Sequence, residues 1–517
     1  MIHGDILGER ARLSPDRTAL IYLPTQQRFT YHELNERATR CARLWLERCH
    51  IVKGDRVGIL ARNRVEFLDA FFAAGKTGII FVPLNTHLTP AELTIIIQDS
   101  GMKALLYDGE LRESIEQLKS QTAIEYWIAL DQPLGPSDLP YASCSAALET
   151  ANCLATTCDP EDIYCLLYTS GTTGTPKGVM IPHRMVTWNG YNTAICWQLR
   201  EDDVSPVFTP LYHAGGLAAF LVPIFIAGGT IVLHRDFEVR EVCSSIETHQ
   251  CTVVLGVPTI YKMLLESPEF ARTDLSHVRW FISGGAPLPV ELIESYRARG
   301  VVLKQGYGLT EVGVNCFSMT AEEALRKPGS IGKPMMFTQA WLLNSDGKEV
   351  SPGEVGELCL RGPHVCQGYW NNPSATAAAF DIDRWFHTGD MARCDNEGFF
   401  YIAGRSKDMF ISGGVNVYPA EVEAELLRCP IVRDAAVIGV PHPKWGEVGV
   451  AFVVPGPVTS EELMAFLAPK LAKYKLPREF IFVDALPRTA YGKVVKTELR
   501  ESFNRRSQQD STTDPPQ

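Results

Sequence analysis

Short apolar runs and amphipathic stretches alternate along the first three hundred or so residues. Asp55-Arg56-Val57-Gly58-Ile59-Leu60 and residues 78–83 are runs of strand length with little polar alternation, the pattern of strands buried on both faces. Thr30-Tyr31-His32-Glu33-Leu34 opens a helix, with Thr30 at the cap and Glu33 three residues on as its capping-box partner. This rhythm predicts a parallel sheet covered by helices. It resumes at Val253-Val254-Leu255-Gly256, Trp280-Phe281-Ile282-Ser283 and Val301-Val302-Leu303-Lys304, all predicted strands. Glycine-rich turns, Gly284-Gly285 and Gly306-Tyr307-Gly308, follow the last two. Ligands of open α/β sheets sit at the carboxyl ends of strands, so these turns belong at a site.

From about residue 340 the pattern changes. Short strands at 354–361, 385–388 and 398–402, with turn signals between, predict a small β-rich layer. After Arg405-Ser406-Lys407-Asp408 it changes again: a helix at 419–428 with proline in its first turn, strands at 434–440 and 447–454, and a helix opened by a Thr459/Glu462 capping box. The expected class is α/β, with a large N-terminal domain over 1–404, a linker at 405–408 and a small α+β domain over 409–506. Residues 507–517, polar and proline-bearing, are expected to be unstructured.

Composition narrows the function. A net charge of −11 argues against a nucleic-acid binder but leaves room for a small anion. Residues 470–506 are locally basic, with ten Lys/Arg against four acids, which suits a solvated helical tail or an anion-facing surface. None of the 14 cysteines forms a Cys-x-x-Cys pair, so reduced thiols in a cytoplasmic protein are expected rather than a zinc ribbon or disulfide scaffold. The N-terminus lacks the pattern of a secretory signal. The longest apolar run, 217–233, is broken by Pro223, Gly228 and Gly229 and falls short of the about 20 residues a spanning helix needs, so it reads as a core segment ending in a strand.

Four segments could carry chemistry. Thr169-Ser170-Gly171-Thr172-Thr173-Gly174-Thr175-Pro176-Lys177-Gly178 follows an apolar run. Its glycines admit close backbone approach, its amides and hydroxyls can donate to phosphate oxygens, and Lys177 can neutralise charge. It departs from the Walker spacing, because Gly178 follows the lysine. In Gly306-Tyr307-Gly308-Leu309-Thr310-Glu311, Tyr307 can stack on a base, Thr310 can donate to phosphate and Glu311 can ligate Mg²⁺. A buried tyrosine beside a surface glutamate explains that segment equally well. In Trp385-Phe386-His387-Thr388-Gly389-Asp390, an aspartate on a tight turn could accept a ribose diol or close an Asx turn. Lys493, after Gly492, could be one more surface charge. No Gly-x-Ser-x-Gly elbow or His-Glu-x-x-His motif is present.

In order and combination these motifs resemble the adenylate-forming superfamily of acyl-CoA synthetases, luciferases and adenylation domains, over about residues 5–503. The similarity is greatest to bacterial synthetases acting on fatty or aryl acids such as hydroxycinnamates, supported by Val257-Pro258-Thr259-Ile260-Tyr261 and the segment 411–421. The resemblance implies doubly wound sheets, a mobile C-terminal domain, and ATP, Mg²⁺, coenzyme A and a hydrophobic carboxylic acid as ligands. It implies that Thr169, Ser170, Gly171, Thr172, Thr173, Gly174 and Lys177 grip phosphates, and that Ser283, Gly284, Gly285 and Ala286 line adenine and acyl group. Gly306, Tyr307 and Gly308 would meet adenine, and Thr310 and Glu311 would contact phosphate and Mg²⁺. Asp390 would take the ribose with Arg405 beside it, Lys407 would be the hinge and Lys493 the lysine of the adenylation step. Gly414 would flank the pantetheine tunnel and Asn416 the acyl-phosphate. His213, in Tyr212-His213-Ala214-Gly215-Gly216, matches the acyl-pocket wall, although a lone His on an apolar segment is equally a structural residue. No Arg or Lys adjoins it, which disfavours a dicarboxylate. The resemblance fits a monomer or homodimer and leaves room for peripheral membrane contact. The rival readings are an enzyme charging a carrier protein and a nucleotide-binding relative without catalysis.

Overall fold

The computed structural model describes residues 5–150, 157–169, 176–413, 415–489 and 492–512. Ser170, Gly171, Thr172, Thr173, Gly174 and Gly414 lie outside the described residues.

The largest sheet runs Leu139–Pro140, Tyr126–Ala129, Ala104–Tyr107, Arg56–Leu60, Ile80–Pro83, Ile163–Thr169, Lys177–Pro182. Every neighbouring pair is parallel except the last. The chain winds outward in both directions from Arg56–Leu60 and Ile80–Pro83, the doubly wound arrangement. Both strands are almost wholly buried, as their apolar runs require. Phe67, Phe71, Phe81 and Tyr164 pack on one face, and Ile97, Leu105, Ile115 and Leu166 on the other. The helix Tyr31–Arg43 starts at the expected capping box, with Thr30 and Glu33 each accepting from the other's backbone N–H.

A four-stranded sheet joins Val204–Val207, Thr230–Leu233, Thr18–Tyr22 and Gln27–Thr30. The apolar run at 217–233 enters it as expected. It forms the turn Leu217–Leu221 and the helix Val222–Ala227, which is ended by left-handed Gly228 at φ 89°, and then a buried strand. Among the described residues no helix is long and apolar enough to cross a membrane.

Val253–Gly256, Trp280–Ser283 and Leu303–Gln305 form a separate parallel sheet. Its third strand starts two residues later than the apolar run that announced it. Phe281 and Leu303 face a core with Tyr261 and Tyr296, while Trp280 and Ile282 face the main core.

The antiparallel sheet Gln339–Leu343, Val355–Arg361, Phe386–Cys394, Phe400–Arg405 follows. It ends at Arg405, the single turn Ser406–Asp408 intervenes, and a new five-stranded sheet begins at Phe410. The helices Pro419–Leu427 and Ser460–Leu467 cover that sheet, packing Val422, Leu426 and Leu463 against Val437, Ala451 and Val453. The final helix, Lys496–Thr512, carries helical backbone past the expected boundary at 506, and residues 513–517 of the expected tail lie outside the described residues.

Candidate active site

The strand Ile163–Thr169 turns back antiparallel as Lys177–Pro182, with Thr169 opposite Lys177. The ends of the phosphate-loop segment are therefore pinned to each other, although its centre is outside the described residues. Lys177 Nζ lies 5.3 Å from the Tyr369 ring centroid, and the Tyr369 hydroxyl donates to Glu311 Oε1 at 3.0 Å. Tyr369 was missed in the sequence. Its signal was an aromatic pair, Tyr369-Trp370, directly after Gly368 in a polar stretch.

Gly306 follows the strand Leu303–Gln305 and donates its N–H to Ser283 O at 2.7 Å, tying the two glycine turns together. Gly308 admits no side chain, since a Cβ there would lie 1.7 Å from Val314 O. Gly285 takes φ 79°, the region that favours glycine. Ser283 is buried and its hydroxyl finds no partner among the described residues, while Ala286 is half-buried beyond the turn. Thr310 and Glu311 lie on the single turn Thr310–Val312, which Cys366 N–H clamps by donating to Glu311 O at 2.8 Å.

Asp390 is placed differently from expectation. It sits inside the strand Phe386–Cys394, after Gly389 at φ 67°, rather than on a tight turn. Its Oδ2 accepts from the Tyr307 hydroxyl at 2.6 Å, and its Oδ1 meets Arg405 Nε at 2.6 Å. Arg405 is its cross-strand partner, so the pair is built by sheet register. Glu357 on the next strand accepts from Gly389 N–H at 3.1 Å and pairs with His387 at 3.0 Å, holding the bulge in place. Burial pushes the Asp390 carboxyl up, against the pull of Arg405, Tyr307 and Lys493.

Lys493 comes to this cluster on a loop of the last domain. Arg488 pairs with Val494, Thr489 N–H donates to Lys493 O at 2.8 Å, and Gly492 takes φ 75° against Thr259. Lys493 is exposed along its length, yet protein groups crowd around its ammonium. Burial therefore holds its pKa below the usual lysine range, Arg405 and Lys407 push the same way, and Asp390 and Glu311 oppose them. The same ammonium reaches His213. His213 Nδ1 accepts from Gly215 N–H at 3.1 Å, which leaves the ring proton on Nε2. Burial first, and Lys493 second, hold its pKa down to about 3, so the ring is neutral.

The structure thus gathers Tyr307, Glu311, Asp390, Arg405, Lys493 and His213. Lys407 is exposed on the turn Ser406–Asp408 and acts on Lys493 through its charge. Asn416 is exposed on Val415–Val417 in the last sheet, and among the described residues no hydrogen bond joins it to the cluster.

The chain matches the AMP-binding enzyme model over residues 7–370 and the model of the AMP-binding enzyme C-terminal domain over 421–493. It belongs to the AMP-binding enzyme family. It is 40% identical to a feruloyl-CoA synthase of Amycolatopsis over 96% of this chain and 97% of that protein. It is 38% identical to a long-chain-fatty-acid–CoA ligase of Mycobacterium tuberculosis over 97% of this chain and 98% of that one. The o-succinylbenzoate CoA synthetase of Bacillus subtilis, solved with its acyl-adenylate intermediate, superposes with a TM-score of 0.86 at 34% identity, covering 97% of this chain and 98% of that one.

Proposed function

We propose that this chain, an AMP-forming acid–thiol ligase, converts a hydrophobic carboxylic acid, a medium- or long-chain fatty acid or an aryl acid, first to its acyl-adenylate and then to its acyl-CoA. The observation that carries the reading is the convergence of Lys493 on Asp390, Glu311 and His213 from a separate domain.

A carboxylate is a weak nucleophile, so the first step needs it held in line with the α-phosphorus while negative charge gathers there. Tyr307 offers a ring face to adenine. Both Asp390 oxygens retain lone pairs beyond those used by Tyr307 and Arg405, enough for ribose hydroxyls. The carboxylate oxygen attacks the α-phosphorus, the bond to the bridging oxygen breaks and pyrophosphate leaves with that electron pair. Lys493 offsets the charge on the α-phosphate. Glu311 fits Mg²⁺, because its Oε2 is not committed to the Tyr369 hydroxyl that bonds Oε1. Mg²⁺ held there supplies charge neutralisation to the polyphosphate. Neutral His213 suits a wall beside the carboxylate, where it can donate from Nε2 without adding a charge.

In the second step a thiol adds to the acyl carbon and AMP leaves. It must approach from another side, and Lys493 now stands in the cleft. Rotation of residues 409–506 about 405–408 would withdraw it and present the Gly414 face. Two of the contacts that such a rotation would break are weak: the exposed Arg428–Glu291 pair at 3.4 Å and a Lys262 Nζ bond to Arg433 O at 3.1 Å. Exposed pairs contribute about 0–1 kcal/mol each. The 13 described cysteines are all free, in keeping with a reducing cytoplasm. The test is CoA-dependent AMP release with acids from hexanoate to palmitate and with cinnamates. Release with at least one acid is expected; none with any overturns the reading.

A further inference from the structure

The ligase reading leaves the acid open, and one buried residue bears on it. Trp280–Ser283 and Leu303–Gln305 run parallel with Ile282 opposite Lys304. Side chains alternate along a strand, so Trp280, Ile282 and Lys304 share one face of the sheet, and Gly284 and Gly306 continue that face at its upper end. Glycine leaves the Gly284 side of this end open, since a Cβ there would meet nothing within 4 Å, whereas a Cβ on Gly306 would press on buried Ile282 at 3.3 Å, so only a bare backbone fits above it. The same face packs toward the core that receives Tyr212, Leu217 and Val314.

One step down the strands, about 6–7 Å, lies Lys304, only 3% exposed. Its Nζ sits 3.8 Å from the Trp280 ring centroid. Among the described residues it has no ion pair or hydrogen bond, and the charge acting on it is that of Arg279, of the same sign. Trp280 is fixed in turn by Trp197 and Phe220, edge-on at 5.9 and 6.0 Å. A buried ammonium without an anion is costly, and an aromatic face returns only part of the cost. Burial holds its pKa down to about 7. A methionine would fill the volume without that cost, so the charge calls for a ligand.

We propose that Lys304 is the floor of the acyl pocket that opens at Gly284 and Gly306, and that it binds an acidic oxygen, phenolic or carboxylic, at the end of the acid remote from the carboxyl being activated. The two-residue step from Gly306 to Lys304, with Gln305 between them, spans roughly one substituted aromatic ring. The absence of a basic neighbour around His213 in sequence therefore does not count against a second acidic group. The inference rests on the ligase reading and deepens it.

Two matched pairs test it in full-length enzyme: 4-hydroxycinnamate against cinnamate, and octanedioate against octanoate, by acid-dependent ATP–pyrophosphate exchange. Wild type should favour the oxygen-bearing member of at least one pair by about 10–100-fold in kcat/KM, the worth of a hydrogen bond to a charged group. The pair showing the preference identifies the oxygen as phenol or carboxyl. Lys304→Met should collapse that ratio toward one, and Lys304→Arg should keep part of it. No preference in either pair in wild type overturns the proposal without recourse to any variant, as does a ratio that survives Lys304→Met. Exchange with cinnamate or octanoate alone would then leave the ligase reading standing, whereas exchange with no acid overturns both.

Discussion

Lys493 and Lys304 carry positive charge in opposite ways. Lys493 rides a loop held by Arg488, Thr489 and Gly492 on the last domain, and it faces Asp390, Glu311 and Arg405. Lys304 is set within the outer strand of the three-stranded sheet of the first domain and faces an indole. The loop lysine meets charged groups across a weak interface, so it can be offered for one step and withdrawn for the next. The strand lysine is fixed by sheet register and core packing. The contrast teaches that a charge needed in only one half-reaction belongs on a separate domain, and one needed to choose the ligand belongs on the rigid sheet.

The largest expected effect breaks the first half of that contrast. Lys493→Ala should lower acid-dependent ATP–pyrophosphate exchange by about 10²–10³-fold, the scale of losing one charge-stabilising donor. Thioester formation from supplied acyl-adenylate should stay within a few-fold of wild type. Equal loss of both half-reactions would show that Lys493 is not confined to one of them. Next comes Asp390→Asn, which keeps the shape and removes the anion facing both Arg405 and Lys493. It should raise the KM for ATP by about 10–100-fold, the cost of leaving buried polar partners mismatched, and leave the KM for the acid nearly unmoved. A change confined to the acid would remove Asp390 from the nucleotide side.

The same contrast explains what the sequence could disclose. Strands such as Arg56–Leu60 and Trp280–Ser283, and the capping boxes at Thr30 and Thr459, were legible because period and local chemistry determine them. Tyr307, Glu311 and Lys493 were legible as motifs, but their meeting was not, since register and domain placement create it. Asp390 was misplaced on a turn because its pairing with Arg405 depends on a bulge opposite Glu357 and Cys359. Lys304 was in view throughout, a lysine closing the apolar run Val301-Val302-Leu303. Only the fold shows that this run lies against Trp280, so that among the described residues the charge meets an indole and no carboxylate.

The strand lysine carries a stability signature that the loop lysine should lack. Its folded pKa, about 7, lies below the ordinary 10.5, so between those values the unfolded chain holds a proton that the fold gives up. Stability should therefore rise with pH across that window and be lowest, and flat, below about 7. Lys304→Met should stabilise the protein at pH 7 by about 1–3 kcal/mol once the lost Trp280 contact is counted, with the gain shrinking toward pH 10. Denaturant titrations of both proteins at pH 7 and pH 9.5 measure it. A gain independent of pH would mean that the lysine is charged and well accommodated.

The smallest effect concerns His213, which feels the loop lysine across the cleft. Burial is the larger cause of its low pKa and Lys493 the smaller. Withdrawing Lys493 should therefore raise the His213 pKa without restoring the ordinary 6.5. Imidazole resonances followed by NMR should show a ring neutral from pH 8 to pH 5 in wild type, and a modest upward shift in Lys493→Ala. Lys304→Met should leave that titration where it was, because no charge of Lys304 acts on the ring. If the two substitutions moved His213 alike, the loop charge and the strand charge would not be separable, and the division of labour between them would fail. If only Lys493→Ala moves it, the His213 wall reports the position of the last domain, and its chemical shift becomes a readout of which half-reaction the enzyme is poised for.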